Sequence, residues 1–403
     1  MDFSHDTAIL RELAQEYAAI CAKPVQNERR ALWRSHNSLK KTRPMVLCLW
    51  WANIGELVEP FLKCQEDYYR NYERMLRTKL FQDYTGDDYV AEPWINVRAT
   101  FAPGSDSWGL ATQAIPSPER GGVWQNVPVL VELSDADKLV KPRHLIDEQA
   151  TARDAARLHE AIGDILAVNV DRSPTIGNMS YLFGRWRGIE QWMADMYDHP
   201  EWLHKVMAFM RDTILEADAE AERLGHWKLS NHTEALPAYE ESLEPPAVNS
   251  RSVLRKQLWG WFNAQELTSV SPVMHEEFML QYQRPIMEHF AVTHYGCCED
   301  LTRKIDILRK VSNLRRLAVT PWADLQKCVE QVKTDYIISW QPNPAEMGCC
   351  GFDAAKIRNI MRRTMEVAGE CHMDVVLKDV QTVEGHPERL KDWVRIVRDV
   401  TDR

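Results

Sequence analysis

"AVTHYGCCEDLTRKIDILRKVSNLRRLAVTPW", residues 291–322, decides the fold. It opens on a short apolar run, AVTHYGCC, that ends in polar residues. DLTRKIDILRKV then places its apolar residues at helical spacing, and LRRLAVTPW is a second short apolar run. Strand, helix and strand in so short a span predict two parallel strands joined by a helical crossover.

The same alternation runs through the chain on both sides. On the N-terminal side, ARDAARLHEAI reads as a helix and DILAVNVD as a strand. GIEQWMADMYDHPEWLHKVMAFMRDTILEADAEAERLG reads as helix interrupted at 198–200, where Pro200 suits a first helical turn. HWKLSNHTE is expected to be a strand running into a loop, and SPVMHEEFMLQYQRPIMEHF a helix. On the C-terminal side come ADLQKCVEQV (helix), DYIISWQPNP (strand), FDAAKIRNIMRRTMEVAGE (helix), HMDVVLKDVQTV (strand) and PERLKDWVRIVRDV (helix). Nearer the N-terminus, RPMVLCLW and DDYVAEPWINV are further strands. Polar residues gather where the strands end: Asp171, Asn231, His232, Cys297, Thr320, Asn343 and Asp379. That is the pattern of a (β/α)8 TIM-type barrel, whose chemistry sits at the C-terminal face. A doubly wound open sheet is the alternative, and the absence of a Gly-rich loop after the first strand counts against its nucleotide site. Residues 1–41 are expected to form a helical N-terminal extension and 42–403 a single barrel. The Gly-, Pro- and Ser-containing stretch at 101–130 is a long excursion from it.

Composition limits the function. The 403 residues are 45% hydrophobic and 27% charged, which are globular proportions. A net charge of -10 argues against nucleic acid as the partner. No apolar run is long enough to span a bilayer. The amphipathic N-terminus and nine cysteines, an odd number with two adjacent pairs, lead us to expect a cytoplasmic protein with reduced thiols.

The segment YGCCE carries the densest chemistry. Two thiols with a nearby imidazole suit Zn2+, so His294, Cys297 and Cys298 are the candidate metal ligands, with Glu299 as a fourth ligand or a base. On a regular strand His294 and Cys297 face opposite ways, so this set requires a turn at Gly296. The alternative is a pair of buried cysteines packing as small hydrophobes. Glu92 and His232 join Glu299 as candidate acid–base groups. Glu92 could equally pair with an arginine. Tyr295, Asp171, Trp340, Asn343 and Asp379 are candidate substrate contacts from strands and strand ends; for Asn343, between two prolines, ordinary turn chemistry is as good an account. Cys349 and Cys350, a second pair, could complete a metal site; the favoured reading is incidental thiols of a glycine-flanked loop.

Residues 45–400, through GIEQWMADMYDHPEWLHKVMAFM, SPVMHEEFMLQYQRPIMEHF, THYGCCEDLTRKIDILRKVSNLRRLAVTPWADL and DYIISWQPNPAEM, resemble the uroporphyrinogen decarboxylase superfamily. The resemblance is to a branch with a Tyr-Gly-Cys-Cys-Glu motif, similar also to cobalamin-independent methionine synthase. It implies a (β/α)8 barrel with a helical N-terminal extension, and a homodimer is plausible on it. The Arg- and Gly-rich signature of the decarboxylases is missing, since the first strand reads RPMVLCLWW. The superfamily's methyltransferases hold zinc with a His-x-Cys motif and a later cysteine. Here Cys297 matches the motif cysteine and Tyr295 stands where its histidine belongs. The last strand offers Lys378 and Asp379 where the later cysteine is expected. What the resemblance implies is a zinc-dependent methyltransferase that works on a small-molecule substrate. It would act between a corrinoid, folate or methoxylated donor and a thiol or corrinoid acceptor. The corrinoid would be carried on a separate partner protein, since Asp-x-His-x-x-Gly does not occur in this chain. A metal-free decarboxylase or lyase is the alternative, and a non-catalytic carrier barrel a third.

Overall fold

A computed structural model describes residues 4–117, 125–174 and 177–402 of the chain. Its centre is a six-stranded parallel sheet. The members are β1 (Met45–Leu49), β6 (Trp259–Phe262), β7 (Val292–Tyr295), β8 (Leu314–Val319), β9 (Ile337–Trp340) and β10 (Met373–Lys378). Their order is β1-β10-β9-β8-β7-β6. A separate parallel pair joins β2 (Trp94–Arg98) to β5 (Ala167–Asp171). The hairpin β3 (Gln113–Ile115) and β4 (Gln125–Val127) lies within the expected 101–130 excursion, of which residues 118–124 fall outside the described set.

The expected (β/α)8 barrel is therefore present only in part. The strands are parallel and the crossovers helical, but the backbone ladder is neither closed nor eight-fold. Side chains bridge one gap. HWKLSNHTE, expected as a strand, forms turns and extended chain without a ladder. Asn231 donates its amide to Asp171 at the end of β5, at 2.7 Å, while the His232 ring accepts the Trp259 N–H of β6 at 3.0 Å. At the other gap the Asp88 N–H donates to the Val46 carbonyl of β1, and the Asp88 carboxylate accepts the Val46 N–H, both at 2.8 Å. β6 itself, WGWF, contains a glycine and no β-branched residue and does not stand out in the sequence.

Alternation along each strand separates two faces. Val46, Cys48, Leu317, Val319, Ile338, Val375 and Leu377 pack outward against the helices Ala354–Ala368 and Glu388–Thr401 in the largest apolar cluster. Asp353 caps the first of these by accepting the Ala355 and Lys356 N–H groups, a contact worth about 1 kcal/mol. The inner face carries Leu47, Leu49, Trp259, His294, Arg316, Asp374 and Val376.

The expected N-terminal extension consists of two helices, His5–Cys21 and Val25–Asn37. Leu10, Leu13, Ala14 and Tyr17 of the first pack with Leu76, Ile95, Val97 and Leu158. The second sends Trp33, His36 and Asn37, all buried, to the inner face at the strand N-termini. The helix break at 198–200 falls as expected, between Ile189–Asp198 and Pro200–Arg223.

Candidate active site

At the C-terminal ends of β1, β6, β7, β9 and β10 lies a cleft of about 300 Å3. Leu49, Trp51, Trp261, His294, Cys297 and Lys378 are among its walls. A turn at Gly296, with φ +108°, brings the cysteines to this mouth. A Cβ at that position would lie 2.9 Å from the Ala318 Cβ and from Leu301, so glycine is required on both counts. Trp261 fixes the turn by donating its indole N–H to the Gly296 carbonyl at 2.8 Å.

Cys297 and Cys298 sit with their sulfurs 3.6 Å apart, Cys298 exposed at the rim. The Lys378 ammonium lies 3.1 Å from the Cys298 Sγ and 3.6 Å from the Cys297 Sγ, and contacts Asp379 at 3.2 Å. Either sulfur can donate to the other; with the proton on Cys297, the Cys298 sulfur and burial push that thiol up. That hydrogen bond, against a smaller cost of burial and with help from the Lys378 charge, brings Cys298 down to about 6. Against the pull of burial, the two sulfurs hold the Lys378 ammonium above its usual range. The result at neutral pH is a thiolate beside an ammonium.

Glu299 lies underneath, fully buried. One carboxylate oxygen accepts the Cys297 N–H at 2.8 Å and the other the Ala264 N–H at 2.9 Å. Both oxygens are engaged in holding the loop. Glu92 accepts from Arg30 at 3.0 Å and from the Tyr239 hydroxyl. The His232 imidazole is pushed down to about 4 by burial, so it is neutral at pH 7 while it accepts the Trp259 N–H. Glu299 and Glu92 are occupied with local structure, while His232 is so through Nδ1 alone and its buried Nε2 has no hydrogen-bond partner.

The expected substrate contacts divide. Asp379 lines the cleft. Tyr295 faces outward, its hydroxyl bonded to His275 at 2.8 Å and to Gln283 at 2.9 Å. Trp340 belongs to the outer cluster. Asp171 accepts from Arg98, Asn231 and Ser173 at 2.6–2.9 Å. Asn343 accepts the Ala345 N–H at 3.0 Å, as its turn chemistry predicts.

His294 points inward and lines the cleft. Its Nδ1 meets the Glu234 carboxylate at 3.0 Å, and its Nε2 is buried with no hydrogen-bond partner. Burial alone would push Glu234 up, but His294 and Arg316 together hold it below the usual carboxylate range. Arg316 lies 3.3 Å from Glu234 and 3.1 Å from Asp374, which in turn meets His36 at 3.3 Å and Ser339 at 2.5 Å. Glu234, Arg316 and Asp374 have fully buried side chains. Sequence reading missed Glu234, Arg316 and Asp374; for Arg316 and Asp374 the available signal was charge inside the apolar runs LRRLAV and HMDVVL, and Glu234 carried none.

The zinc expected from the sequence was tested against this arrangement. Two sulfurs and an imidazole are the right kinds of donor. Among the described residues, however, no three His, Cys, Asp or Glu side chains are grouped to hold a metal ion. The cationic position beside the sulfurs is taken by Lys378. The donor set does not fit the ion.

A second cavity, of about 310 Å3, shares Trp261 as a wall and is lined by Met179, Trp227, Phe262 and Phe290. Of the two, the mouth cleft is the one with Cys297 and Lys378 in its wall.

No family model matches the chain, and no curated protein matches it. Among solved structures it is similar to a methyltransferase from Methanosarcina mazei. The TM-score is 0.53 at 10% identity, over 92% of this chain and 98% of that one. At that identity the likeness is one of fold. No helix among the described residues is long and apolar enough to cross a membrane.

Proposed function

We propose that the protein is a methyl-transfer enzyme in which Cys298 takes the methyl group from a small donor. The supporting observation is the Cys297–Cys298–Lys378 cluster at the strand C-termini, beside a cleft and open to solvent at its rim. The Cys298 thiolate attacks the methyl carbon. A sulfur–carbon bond forms, and the bond from the methyl to its heteroatom breaks with its electron pair on the heteroatom. Lys378 keeps the sulfur ionised beforehand.

The same low thiol pKa serves the second half of the reaction. A weakly basic thiolate is the better leaving group, so the methyl passes on when a stronger nucleophile approaches the exposed sulfur. The acceptor we propose is a reduced corrinoid on a separate protein or a small thiol, arriving at the rim while the donor's remainder occupies the cleft. Zinc takes no step in this scheme. The fold shared with the Methanosarcina mazei methyltransferase is consistent with it.

The test is intact-mass and peptide analysis after incubation with a panel of methoxylated, N-methyl and folate donors. A gain of one methyl group on Cys298, discharged by a thiol or a reduced corrinoid protein, is expected. Methyl transfer that persists in Cys298→Ser would overturn the scheme.

A further inference from the structure

Methyl transfer uses one sulfur, and the site holds two. The Sγ atoms of Cys297 and Cys298 lie 3.6 Å apart, in contact but not bonded. Cys298 is exposed at the rim, and Cys297 is part-buried in the cleft wall. An accessible sulfur that reacts first and a neighbour that closes on it are the two parts of a reversible thiol oxidation. The backbone holds them in that relation. Gly296 makes the turn, Trp261 holds its carbonyl and Glu299 holds the Cys297 N–H, each at 2.8 Å. Charge permits the same change. Lys378 faces both sulfurs and also contacts Asp379 at 3.2 Å. Conversion of the thiols to a neutral disulfide leaves the ammonium with that carboxylate, so no cation is stranded.

We infer that Cys297 and Cys298 are a site of reversible oxidation, closing to a vicinal disulfide when the protein meets a peroxide. The Cys298 sulfur attacks one oxygen of hydrogen peroxide. The O–O bond breaks, a sulfenic acid forms on Cys298, and the other oxygen leaves as water with the thiol proton. The Cys297 sulfur then attacks the sulfenic sulfur. The S–S bond forms, the S–O bond breaks, and the departing hydroxide takes the Cys297 proton as a second water. The two thiols together give up two electrons, and one peroxide takes them. Consecutive Cα atoms stand about 3.8 Å apart, short of the roughly 4.4–6.8 Å that ordinary disulfides span. A disulfide between neighbours is therefore strained, and strained or exposed disulfides are the readily reduced, regulatory kind. A small dithiol returns both sulfurs. The formation of the disulfide does not depend on the proposed methyl transfer. Its effect on activity rests on that reading, because it removes the sulfur that takes the methyl group.

The test needs no knowledge of the natural donor. The full chain is treated with a small excess of hydrogen peroxide, its remaining thiols are blocked with N-ethylmaleimide in denaturant, and its peptides are read by mass spectrometry without reduction. The peptide holding Cys297 and Cys298 is expected unlabelled and two hydrogens lighter, from a protein that still runs as a single chain on a non-reducing denaturing gel. Dithiothreitol should restore the label to both cysteines. Cys349 and Cys350 are also adjacent, one buried and one exposed, and serve as the control that keeps its label. In Cys297→Ser the closing sulfur is gone, and peroxide should carry Cys298 on to sulfinic acid, which dithiothreitol does not reverse. Two labels on the 297–298 peptide after peroxide overturn the inference. So do sulfinic acid on Cys298 of the unaltered protein, a disulfide between two chains, or an equal loss of label at Cys349 and Cys350. Activity separates this inference from the scheme beneath it. With the donor panel above, the folded disulfide form should transfer no methyl. Transfer that persists in that form leaves the disulfide standing and overturns the Cys298 methyl-transfer scheme.

Discussion

Strand β10 carries an acid near its start and a base at its end, and the two occupy different chemical worlds. Asp374 is fully buried and shares Arg316 with Glu234, with every charge answered by another. Lys378 sits at the mouth, 18% exposed, facing a pair of thiols of which one is open to water. Both clusters lie on the inner face of the same sheet. The inner one is locked because each member has two or more partners in a dry interior, so removing any one strands the rest. The outer one is reactive because its thiolate meets one lysine on one side and solvent on the other. Burial, more than residue type, separates scaffold from chemistry here, and His294 joins the two: its Nδ1 bonds to Glu234 of the locked cluster, and the residue is part of the cleft wall.

The largest effect should come from breaking the inner cluster. Arg316→Met leaves two buried carboxylates without their common cation. A loss of about 4 kcal/mol in denaturant unfolding is expected, in the range for an uncompensated buried charge. The pH dependence should change sign as well. In the unaltered protein Glu234 and Asp374 have lowered pKa values. They therefore contribute stability above about pH 4, the unfolded carboxylate range, and lose it as pH falls through their lower folded values. In the variant, burial without the cation favours the protonated acids, so stability should fall as pH rises through that range. A loss under 1 kcal/mol with the pH profile unaltered would erase the distinction between the two clusters.

Glu299 lies at the boundary and tests how far the reactive pair depends on buried support. Its two oxygens accept two backbone N–H groups, a task glutamine performs with only one oxygen. Glu299→Gln should cost about 2 kcal/mol, the penalty for a stranded buried donor. It should also slow Cys298 alkylation by displacing the Cys297 backbone. Alkylation at the unaltered rate in the folded variant would mean that the mouth arranges itself independently of what lies beneath.

Lys378→Met acts on the outer cluster alone. Without the ammonium, Cys298 should titrate above 6, toward the ordinary thiol value of about 8.5, and iodoacetamide labelling at pH 7 should slow about tenfold. Thiolate absorbance against pH gives the midpoint directly. Reactive thiolate appears as pH rises through that midpoint, so the variant's curve should shift to higher pH. Global stability should change by less than in either buried variant, because a part-exposed ion pair contributes little.

Much of the scaffold was legible, because hydrophobic period reports local structure. MVLCL, AVNVD, IISW and MDVVLK are strands where their apolar runs predict them. Two elements were not. WGWF holds a glycine and no β-branched residue, so it gives no strand signal, and HWKLSNHTE was expected to pair through its backbone but joins its neighbours through Asn231 and His232 side chains. In the site, the cysteines and His294 were visible as a cluster in sequence. Their partners were not, since Lys378 lies 80 residues from Cys298 and Glu234 lies 60 from His294. Tyr295 is the instructive case. It stands next to His294, yet strand alternation turns its hydroxyl outward to His275 and Gln283. Adjacency in sequence placed it in the site; the pleat took it out.

The smallest expected effect is that of removing metal, and it bears directly on what the outer cluster is. Lys378 already supplies a positive charge to both sulfurs, and no third protein ligand is grouped with them among the described residues. Treatment with a strong chelator should therefore leave the Cys298 midpoint and alkylation rate unchanged, and metal analysis of the native protein should find zinc well below stoichiometric. The competing outcome is clear-cut. Zinc at one ion per chain, absent from a folded Cys297→Ser, Cys298→Ser protein, would require Lys378 to swing away and another ligand to approach. The mouth would then be a metal-held thiolate site, and its contrast with the buried cluster would lie in the identity of the cation rather than in exposure to water.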